Sequence, residues 1–280
     1  MTLRWFSRAI LSTGLLLGLW AFWWEPGSLR KANYTLNIPQ WPQPCSGLRI
    51  AVLADPHTGS PYNGLDKLNE IVDLTLQAQP DLILLAGDYV VQEVLGGQFI
   101  APEDMTPVLA RLEAPMGVYA VLGNHDWWLD GARVRQALEQ DGIPVLEDTA
   151  INLTHGDCRF WLAGISDFWE APHDIAATLA RIPAATPVLA FTHNPDIFPV
   201  LPSRITLTIA GHTHGGQVYF PVLGRLIVPS HFGERFAIGH IQEADRHMFV
   251  SPGLGTSILP VRFLVPPEIS ILHVLSGGTI

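Results

Sequence analysis

Five short polar motifs in the chain carry side chains that bind divalent metal ions. They are Asp55-Pro56-His57, Gly87-Asp88, Gly123-Asn124-His125-Asp126, Thr192-His193-Asn194-Pro195 and Gly211-His212-Thr213-His214. The candidate metal ligands among them are Asp55, His57, Asp88, Asn124, His193, His212 and His214. Such a set is large enough for two divalent ions, and two ions about 3.5–4 Å apart are a common device for hydrolysing phosphate esters. Ligands without thiolate suit Mn, Fe or Zn and do not choose among them.

Each motif comes directly after an apolar run that predicts a buried strand. The runs cover residues 48–54, 81–86, 117–122, 188–191 and 205–210. The ends of successive parallel strands meet at one edge of an open α/β sheet, where such folds place their active sites. We therefore expect the candidate ligands to converge there.

The rest of the chain predicts the elements that would hold these strands. Helical spacing appears at 65–78, with Asn63 as N-cap, and further helices are predicted at 131–140 and 174–181. A hairpin is predicted from 151–155 and 159–165, and short strands from 217–220, 226–228, 236–241, 247–250 and 269–275. The fold class is therefore α/β, a four-layer α/β/β/α sandwich of two mixed sheets with helices on both outer faces.

The N-terminus differs from the rest of the chain. A short basic segment, 1–8, precedes the uncharged run 9–24, which is rich in Leu and Trp. Its length of about 24 Å as a helix is slightly short of a bilayer core. We expect an uncleaved transmembrane anchor rather than a cleaved signal peptide, because no small-x-small site follows the apolar core. The charges of Arg4 and Arg8 weakly favour a single-pass protein of the inner membrane with its catalytic domain outside the cytoplasm.

The segment 25–46 contains several prolines and predicts a stiff, extended linker between the membrane and a catalytic domain at 47–280. The only cysteines are Cys45 and Cys158. They could pair in an oxidising compartment, but the expectation is two unpaired thiols.

Composition limits the classes of function. The chain has 280 residues, 48% of them hydrophobic, and a formal net charge of −10. This content excludes a disordered chain. An acidic chain without a Lys- or Arg-rich stretch is a poor nucleic-acid binder, so we expect no nucleic-acid partner.

The ordered motifs D-x-H, G-D, G-N-H-[DE], a separate His and G-H-x-H are similar to those of the calcineurin-like metallophosphoesterase superfamily. The resemblance covers about residues 48–215. Residues 215–217, 253–257 and 267–269 further resemble its membrane-associated bacterial subgroup, which contains phosphodiesterases and UDP-2,3-diacylglucosamine hydrolases. One departure is Pro56, which lacks an amide hydrogen and stiffens the first motif.

The resemblance implies a role for each motif residue. A first metal would be held by Asp55, His57, Asp88 and His214, and a second by Asp88, Asn124, His193 and His212, so that Asp88 bridges the two. The catalytic residues would be His125, which would protonate or hydrogen-bond the phosphate or leaving oxygen, and Asp126, which would orient His125.

The expected function is a membrane-anchored binuclear phosphoesterase that cleaves a phosphodiester or pyrophosphate bond by attack of metal hydroxide. The substrate would be a phosphate-ester small molecule or a lipid-linked compound of the cell envelope. Two alternatives stay open, a metal-stabilised binding or scaffold protein with little turnover and a hydrolase of a non-phosphate ester or amide.

Several side chains outside the ligand set allow two interpretations. Asp167 could reach the rim of the cleft or cap a turn, and His231 could contact substrate or be structural. Exposed aromatic residues could form an apolar rim that meets lipid or an acyl chain, although core packing is the commoner role for each of them. These aromatic residues are Trp127, Trp128, Phe168, Trp169 and Phe232.

Overall fold

The computed structural model describes residues 2–92 and 94–277. Its first sheet has the strand order β1-β11-β2-β3-β4. The strands are β1 (Arg30–Ile38), β2 (Leu48–Leu53), β3 (Leu82–Ala86), β4 (Val118–Val121) and β11 (Glu268–Ser276). Strands β2, β3 and β4 are parallel, and β11 is antiparallel to β2 and parallel to β1.

The second sheet has the order β5-β6-β7-β8-β10-β9. Its strands are β5 (Thr149–His155), β6 (Cys158–Gly164), β7 (Val188–Phe191), β8 (Ile205–Ala210), β9 (Gly239–Glu243) and β10 (Arg246–Val250). Four central strands are parallel, and the edge strands β5 and β9 are antiparallel to their neighbours. Both sheets are therefore mixed.

The two sheets pack face to face because their strands bury both faces. In β2, Ile50 and Val52 lie in the core between the sheets, where Leu162 and Leu207 of the second sheet also lie. The alternate residue Ala51 points to the opposite face, among the helices. Alternation of this kind buries successive residues of one strand in two different cores.

Helices cover the outer faces. Helices α3 (Leu65–Gln77), α4 (Pro102–Leu109) and α5 (Asn124–Gln140) pack on the first sheet, and α6 (Ile175–Ala180) packs on the second. The predicted four-layer sandwich is therefore confirmed.

The predicted boundaries needed several corrections. Asn63 does not cap α3, since Gly64 is the N-cap and the Asn63 amide donates to the Pro56 carbonyl. Helix α5 begins at Asn124, inside the third motif, and is interrupted at Asp130, so only its second part was predicted. The strands predicted at 217–220 and 226–228 are wrong, because the first stretch forms only isolated bridges and the second has no strand assignment.

The chain begins with a long helix. Helix α1 (Thr2–Leu19) continues through a π-helical turn, Trp20–Trp24, into the short helix α2 (Glu25–Gly27). The stretch Trp5–Gly27 is long and apolar enough to cross a membrane, and most of it is exposed. The predicted anchor at 9–24 thus lies within a helix of suitable length.

The predicted linker at 25–46 is wrong. Residues 30–38 form β1, which pairs along its full length with β11. Leu36, Ile38 and Trp41 are buried in the core between the sheets. The globular part therefore starts near residue 28, not 47, and the helix leads directly into it.

The expected unpaired thiols are also wrong, because Cys45 and Cys158 form a disulfide with Cα atoms 4.5 Å apart. Cys45 ends a 3-10 turn just before β2, and Cys158 is the first residue of β6. Packing of the sheets brings these strand starts together across a separation of 113 residues. The bond joins the sheets at the end opposite to the motifs.

Candidate metal centre

The structure brings all of the candidate ligands into one buried cluster. Asp88 lies at its centre, with its Oδ2 atom 3.2 Å from His193 Nε2 and 3.5 Å from His57 Nε2. On one side His57 Nε2 is 3.1 Å from His214 Nε2, which is 3.9 Å from Asp55 Oδ1.

The other side of the cluster is built around His193. Its Nε2 atom lies 3.2 Å from Asn124 Oδ1 and 3.1 Å from His212 Nδ1. The cluster thus consists of two groups of candidate ligands that share Asp88, and each candidate ligand comes shortly after the end of a strand of the sandwich.

Hydrogen bonds orient two of the rings. His57 Nδ1 lies 3.0 Å from the Val90 carbonyl oxygen, and His193 Nδ1 lies 2.7 Å from that of Ala86. A carbonyl can only accept, so both Nδ1 atoms carry hydrogen and, in the neutral rings, both Nε2 lone pairs point into the cluster. Carbonyl-anchored imidazoles of this kind are typical of metal ligands.

The donor atoms of the cluster are better suited to binding cations than to hydrogen-bonding one another. In addition to the converging lone pairs, the buried atoms His212 Nε2 and His214 Nδ1 have no hydrogen-bond partner within residues 2–92 and 94–277. The nitrogen atoms and carboxylate oxygens would repel one another at these distances unless protons or cations lie between them.

The pKa values of the cluster residues in the absence of cations also show that the cluster needs positive charge. Burial raises the pKa of Asp55 to about 7 and lowers the pKa of His57 to about 4. Burial also opposes charge on His193, but the Asp88 and Asp55 carboxylates outweigh it and raise the pKa of His193 to about 10. A proton on His193 thus partly neutralises the two acids.

The backbone at the ligands is unusual. Asp55, His57, Asp88, His212 and His214 all have positive φ angles, between 38° and 71°. Residues other than glycine rarely adopt this region. The adjoining Gly123 is needed for close approach, since a Cβ there would lie 2.2 Å from Asp88 Oδ1. The loops therefore hold their ligands by backbone shape as well as by side-chain packing.

Asp126 supports the backbone of two motifs, and its predicted role in orienting His125 stays a prediction. Its carboxylate accepts hydrogen bonds from four backbone amides, those of Asp88, Tyr89, Val90 and Gly123. It is fully buried. Asp126 therefore joins the second and third motifs to each other and is a positioning residue.

His125 lies beside the cluster, as predicted, although its chemical role stays a prediction. Its backbone amide donates to Asp88 Oδ1 over 2.9 Å. Its ring contacts those of His57 and Trp128, with centroids 4.7 Å and 4.6 Å away. It also lines the cavity above the cluster. A group that touches both the cavity and the ligands is placed to meet a substrate oxygen.

The cavity above the cluster has a volume of about 520 Å³. Trp128 and Trp169 both form part of its wall, and both are partly exposed. The Trp169 ring stands edge-on to the ligand His212, with centroids 4.4 Å apart. These two tryptophans form the predicted apolar rim, whereas Trp127, Phe168 and Phe232 pack against the cores.

Two ambiguous residues are now placed. Asp167 is buried, and its Oδ1 atom accepts from the amides of Trp169 and Glu170, so it caps the turn that carries Trp169. The His231 ring packs against Trp169, with centroids 6.0 Å apart, and does not line the cavity.

Sequence reasoning missed Arg262, a fully buried residue. Its guanidinium donates to the carbonyls of Pro252, Gly253, Gly255 and Val265. The Gly255 amide in turn donates to the Asp55 carbonyl over 2.7 Å. Arg262 thus braces the loop behind a candidate ligand. A single charge within the apolar run 258–267 was the available signal.

Comparison with known proteins places this geometry in context. A family model described as Calcineurin-like phosphoesterase matches residues 48–216, from the start of β2 to just past the last motif. Phosphodiesterase YaeI of Escherichia coli is 31% identical over 259 residues, covering 90% of each chain. The uncharacterized metallophosphoesterase YkuE of Bacillus subtilis is 29% identical, covering 90% of this chain and 87% of its own. UDP-2,3-diacylglucosamine pyrophosphatase LpxG of Chlamydia trachomatis is 24% identical, covering 95% of each.

Proposed function

Because the chain belongs to the calcineurin-like phosphoesterase family, and is therefore a metal-dependent phosphoric ester hydrolase, we propose that it cleaves a phosphodiester or pyrophosphate bond at a two-metal centre. The observation that supports this most directly is the pair of ligand groups that share Asp88, with imidazole lone pairs converging on it.

The ligand sets follow from the two groups. Asp55, His57, Asp88 and His214 would hold one ion. Asp88, Asn124, His193 and His212 would hold the other. Mn, Fe and Zn all suit such oxygen and imidazole donors. The two carboxylates leave a positive excess on a pair of dications, which favours an anionic substrate.

The ions would supply an acidified water as nucleophile and positive charge for the phosphoryl oxygens. The protein's own groups would do the rest. His125, at the side of the cavity, would donate a proton or hydrogen bond to the leaving oxygen. Trp128 and Trp169 would exclude water from the flanks of the bound ester.

We also propose that Trp5–Gly27 crosses the membrane and that the catalytic domain lies outside the cytoplasm. The disulfide between Cys45 and Cys158 supports this side, because such bonds persist in oxidising compartments and are rare in the cytosol. Protease treatment of intact and permeabilised cells tests it. Cleavage only after the inner membrane is opened would contradict an outward-facing domain.

The substrate class is a lipid-linked or other envelope phosphate compound. Two observations support this proposal, the helix joined directly to the domain and the apolar wall of the cavity. The name of one relative, LpxG, describes a pyrophosphatase of a diacylated sugar nucleotide. The name of another, YaeI, describes a phosphodiesterase.

The test of the activity uses full-length protein in detergent with Mn and bis-p-nitrophenyl phosphate. We expect hydrolysis that stops with chelator and that His212→Ala abolishes together with metal binding. His155→Ala is the matched control, since His155 is an exposed histidine of β5. Stoichiometric metal without turnover would favour a scaffold, and faster cleavage of p-nitrophenyl acetate would favour a non-phosphate hydrolase.

A further inference from the structure

The N-terminal helix is fixed to the catalytic domain at its end. The Arg262 amide donates to the Ala21 carbonyl over 2.9 Å, and the Tyr62 hydroxyl donates to the Phe22 carbonyl over 3.1 Å. The buried Glu25 accepts from the Val265 amide over 2.5 Å. Three contacts from two parts of the domain leave little freedom of rotation, so the direction of the helix sets the orientation of the domain.

The segment 258–265, which is hydrogen-bonded to the end of the helix, carries exposed apolar side chains. The neighbouring loop 219–226 does so as well. Tyr219 donates its amide to the Phe263 carbonyl over 2.8 Å, and the rings of Phe220 and Phe263 are 5.7 Å apart, which joins the two segments into one surface. We call this surface the apolar platform. It consists of Val222, Leu223, Leu226, Ile258, Leu259 and Leu264, which are between 46% and 93% exposed.

Charge is sparse on these two segments. Residues 217–230 contain only Arg225 and residues 251–267 contain only Arg262 as charged groups. Arg262 is buried, and the Arg225 guanidinium lies over the Tyr219 ring and donates to the Gly215 carbonyl. Neither segment carries a carboxylate that an anionic lipid headgroup would repel. Exposed apolar surface of this extent marks an interaction site.

The platform also borders the entrance to the cavity. Ile258 of the platform lines the cavity together with Ile227, Trp128 and the ligands His212 and His214. Ile227 is 80% exposed, so it belongs to the wall of the cavity and to the outer surface at once. Whatever covers the platform will therefore lie at the mouth of the catalytic site.

We propose that the apolar platform lies in the surface of the same bilayer that Trp5–Gly27 crosses, and that the cavity takes amphiphilic phosphate esters whose acyl chains stay in the membrane. This inference rests on the membrane span and hydrolase activity of the proposed function. The end of the helix is hydrogen-bonded to Arg262 and Val265, in the same segment that carries three platform residues, which argues for the bilayer as the occupant. Apolar side chains at the headgroup boundary bind by burying their surface in it.

The first experiment measures the position of the platform directly. Full-length Leu223→Cys is labelled with an environment-sensitive fluorophore and reconstituted in phosphatidylethanolamine–phosphatidylglycerol nanodiscs, where spin-labelled lipids act as quenchers. The native cysteines are in a disulfide and will not react with the label. The control is Val200→Cys, a 59% exposed valine outside the platform. We expect strong quenching at position 223 and little at position 200.

Equal, weak quenching at both positions would overturn the inference. Energy transfer between labels on two copies, without quenching by lipid, would also overturn it, because a second protein chain would then cover the platform. Neither result depends on catalysis. The position of the platform is thus tested even if the proposed activity fails.

The second experiment asks whether the platform serves membrane substrates. The variant Val222→Ser/Leu223→Ser/Leu226→Ser alters residues that do not line the cavity. We expect unchanged turnover of bis-p-nitrophenyl phosphate and about tenfold lower turnover of a dialkyl phosphodiester embedded in vesicles, since three apolar anchors are lost. If the ratio of variant to wild-type turnover is the same for the soluble and the vesicle-embedded substrate, the inference is contradicted. Failure of the wild type on both substrates would contradict the proposed function instead.

Discussion

The two sheets contribute different chemistry to the same site. The segments that follow strands of the first sheet supply the candidate oxygen ligands Asp55, Asp88 and Asn124 together with one imidazole, His57. Loops of the second sheet supply three imidazoles, His193, His212 and His214. Each ligand group draws on both sheets, since His214 adjoins His57 in one and His193 and His212 adjoin Asn124 in the other. The site is therefore a product of the packing between the sheets, and its stability depends on what holds them together.

The supports of the two halves differ as well. The first half joins its own loops through Asp126, which accepts four backbone amides. The second half is linked to the first through backbone contacts to Asp55, whose carboxylate accepts the His212 amide over 2.8 Å. At the opposite end the disulfide makes the covalent link. Perturbing these supports one at a time therefore shows how much each half of the site depends on them.

Substitution of Asp88, the proposed shared ligand, should have the largest effect. Asp88→Asn removes the charge that both groups use, so we expect a loss of at least about 10³-fold in phosphodiester turnover, because several kcal/mol of charge stabilisation disappears. Elemental analysis should show less than the full metal content. Asp157→Asn, in the turn between β5 and β6, is the control. Full activity in Asp88→Asn would refute the assignment of the site.

Removal of the disulfide should weaken the link between the halves without touching the ligands. Closing a loop of 113 residues stabilises a fold by about 5 kcal/mol in the chain-entropy account. We expect Cys45→Ser/Cys158→Ser to lower the free energy of unfolding by that order, measured with urea in detergent. Reductant should have the same effect on the wild type. An unchanged midpoint under reduction would show that the packed sheets need no such link.

A pH dependence should arise in the connection between the halves. Glu147, between α5 and β5, accepts from the Leu122 amide and pairs with Arg135, and burial raises its pKa from 4.5 to about 7. Because the pKa of this acid is higher in the folded than in the unfolded protein, its contribution to the free energy of unfolding is fully present below pH 4.5. The contribution is lost as pH rises through 7. The loss is about 3 kcal/mol by the size of the shift.

Glu147→Gln does not ionise, so its free energy of unfolding should fall less than that of the wild type between pH 5 and pH 8. Urea titrations at both pH values measure the difference. Glu139→Gln, an exposed partner of the same arginine, is the matched control. Parallel pH profiles for the wild type and Glu147→Gln would contradict the assignment of this titration.

Substitution of Asp126, which supports only the loops of the first sheet, should have the smallest effect. In the wild type the Asp126 carboxylate accepts hydrogen bonds from four backbone amides. In Asp126→Asn the side-chain NH₂ group cannot accept, so at least one backbone amide is left unpaired at a cost of about 2 kcal/mol. We expect a lower unfolding free energy and about tenfold lower turnover, as is usual when a support of ligands is lost. The pH profile of turnover should keep its shape, since the Asp126 carboxylate accepts backbone amides and does not line the cavity. A profile that changes shape would support a catalytic role.

The parts of the molecule that the sequence predicted are those with local signals. The runs at 82–86 and 205–210 are rich in apolar residues and buried throughout because both faces of their strands are covered, and the candidate ligands follow such runs. Helix α4 gave a weaker signal, because Pro107 lies within it. Strand β1 was hidden among prolines, and its partner β11 lies more than 230 residues away.

The parts that the sequence concealed depend on tertiary neighbours. Asp126 resembles a catalytic acid in a motif, but its partners are backbone amides, which any sequence would offer. The disulfide depends on how two sheets stack. The convergence of the candidate ligands was thus predictable from spacing, whereas their supports required the fold.

The positive φ angles at Asp55, His57, Asp88, His212 and His214 have a consequence for how such proteins change over generations. Glycine would relieve an unfavourable conformation of about 1 kcal/mol at each of these positions, so stability and chemistry favour different residues there. A descendant freed from the need to hydrolyse its substrate should lose these side chains early, often to glycine. Glycine at several of them in a relative would therefore mark a member of the lineage whose selection for catalysis has ended.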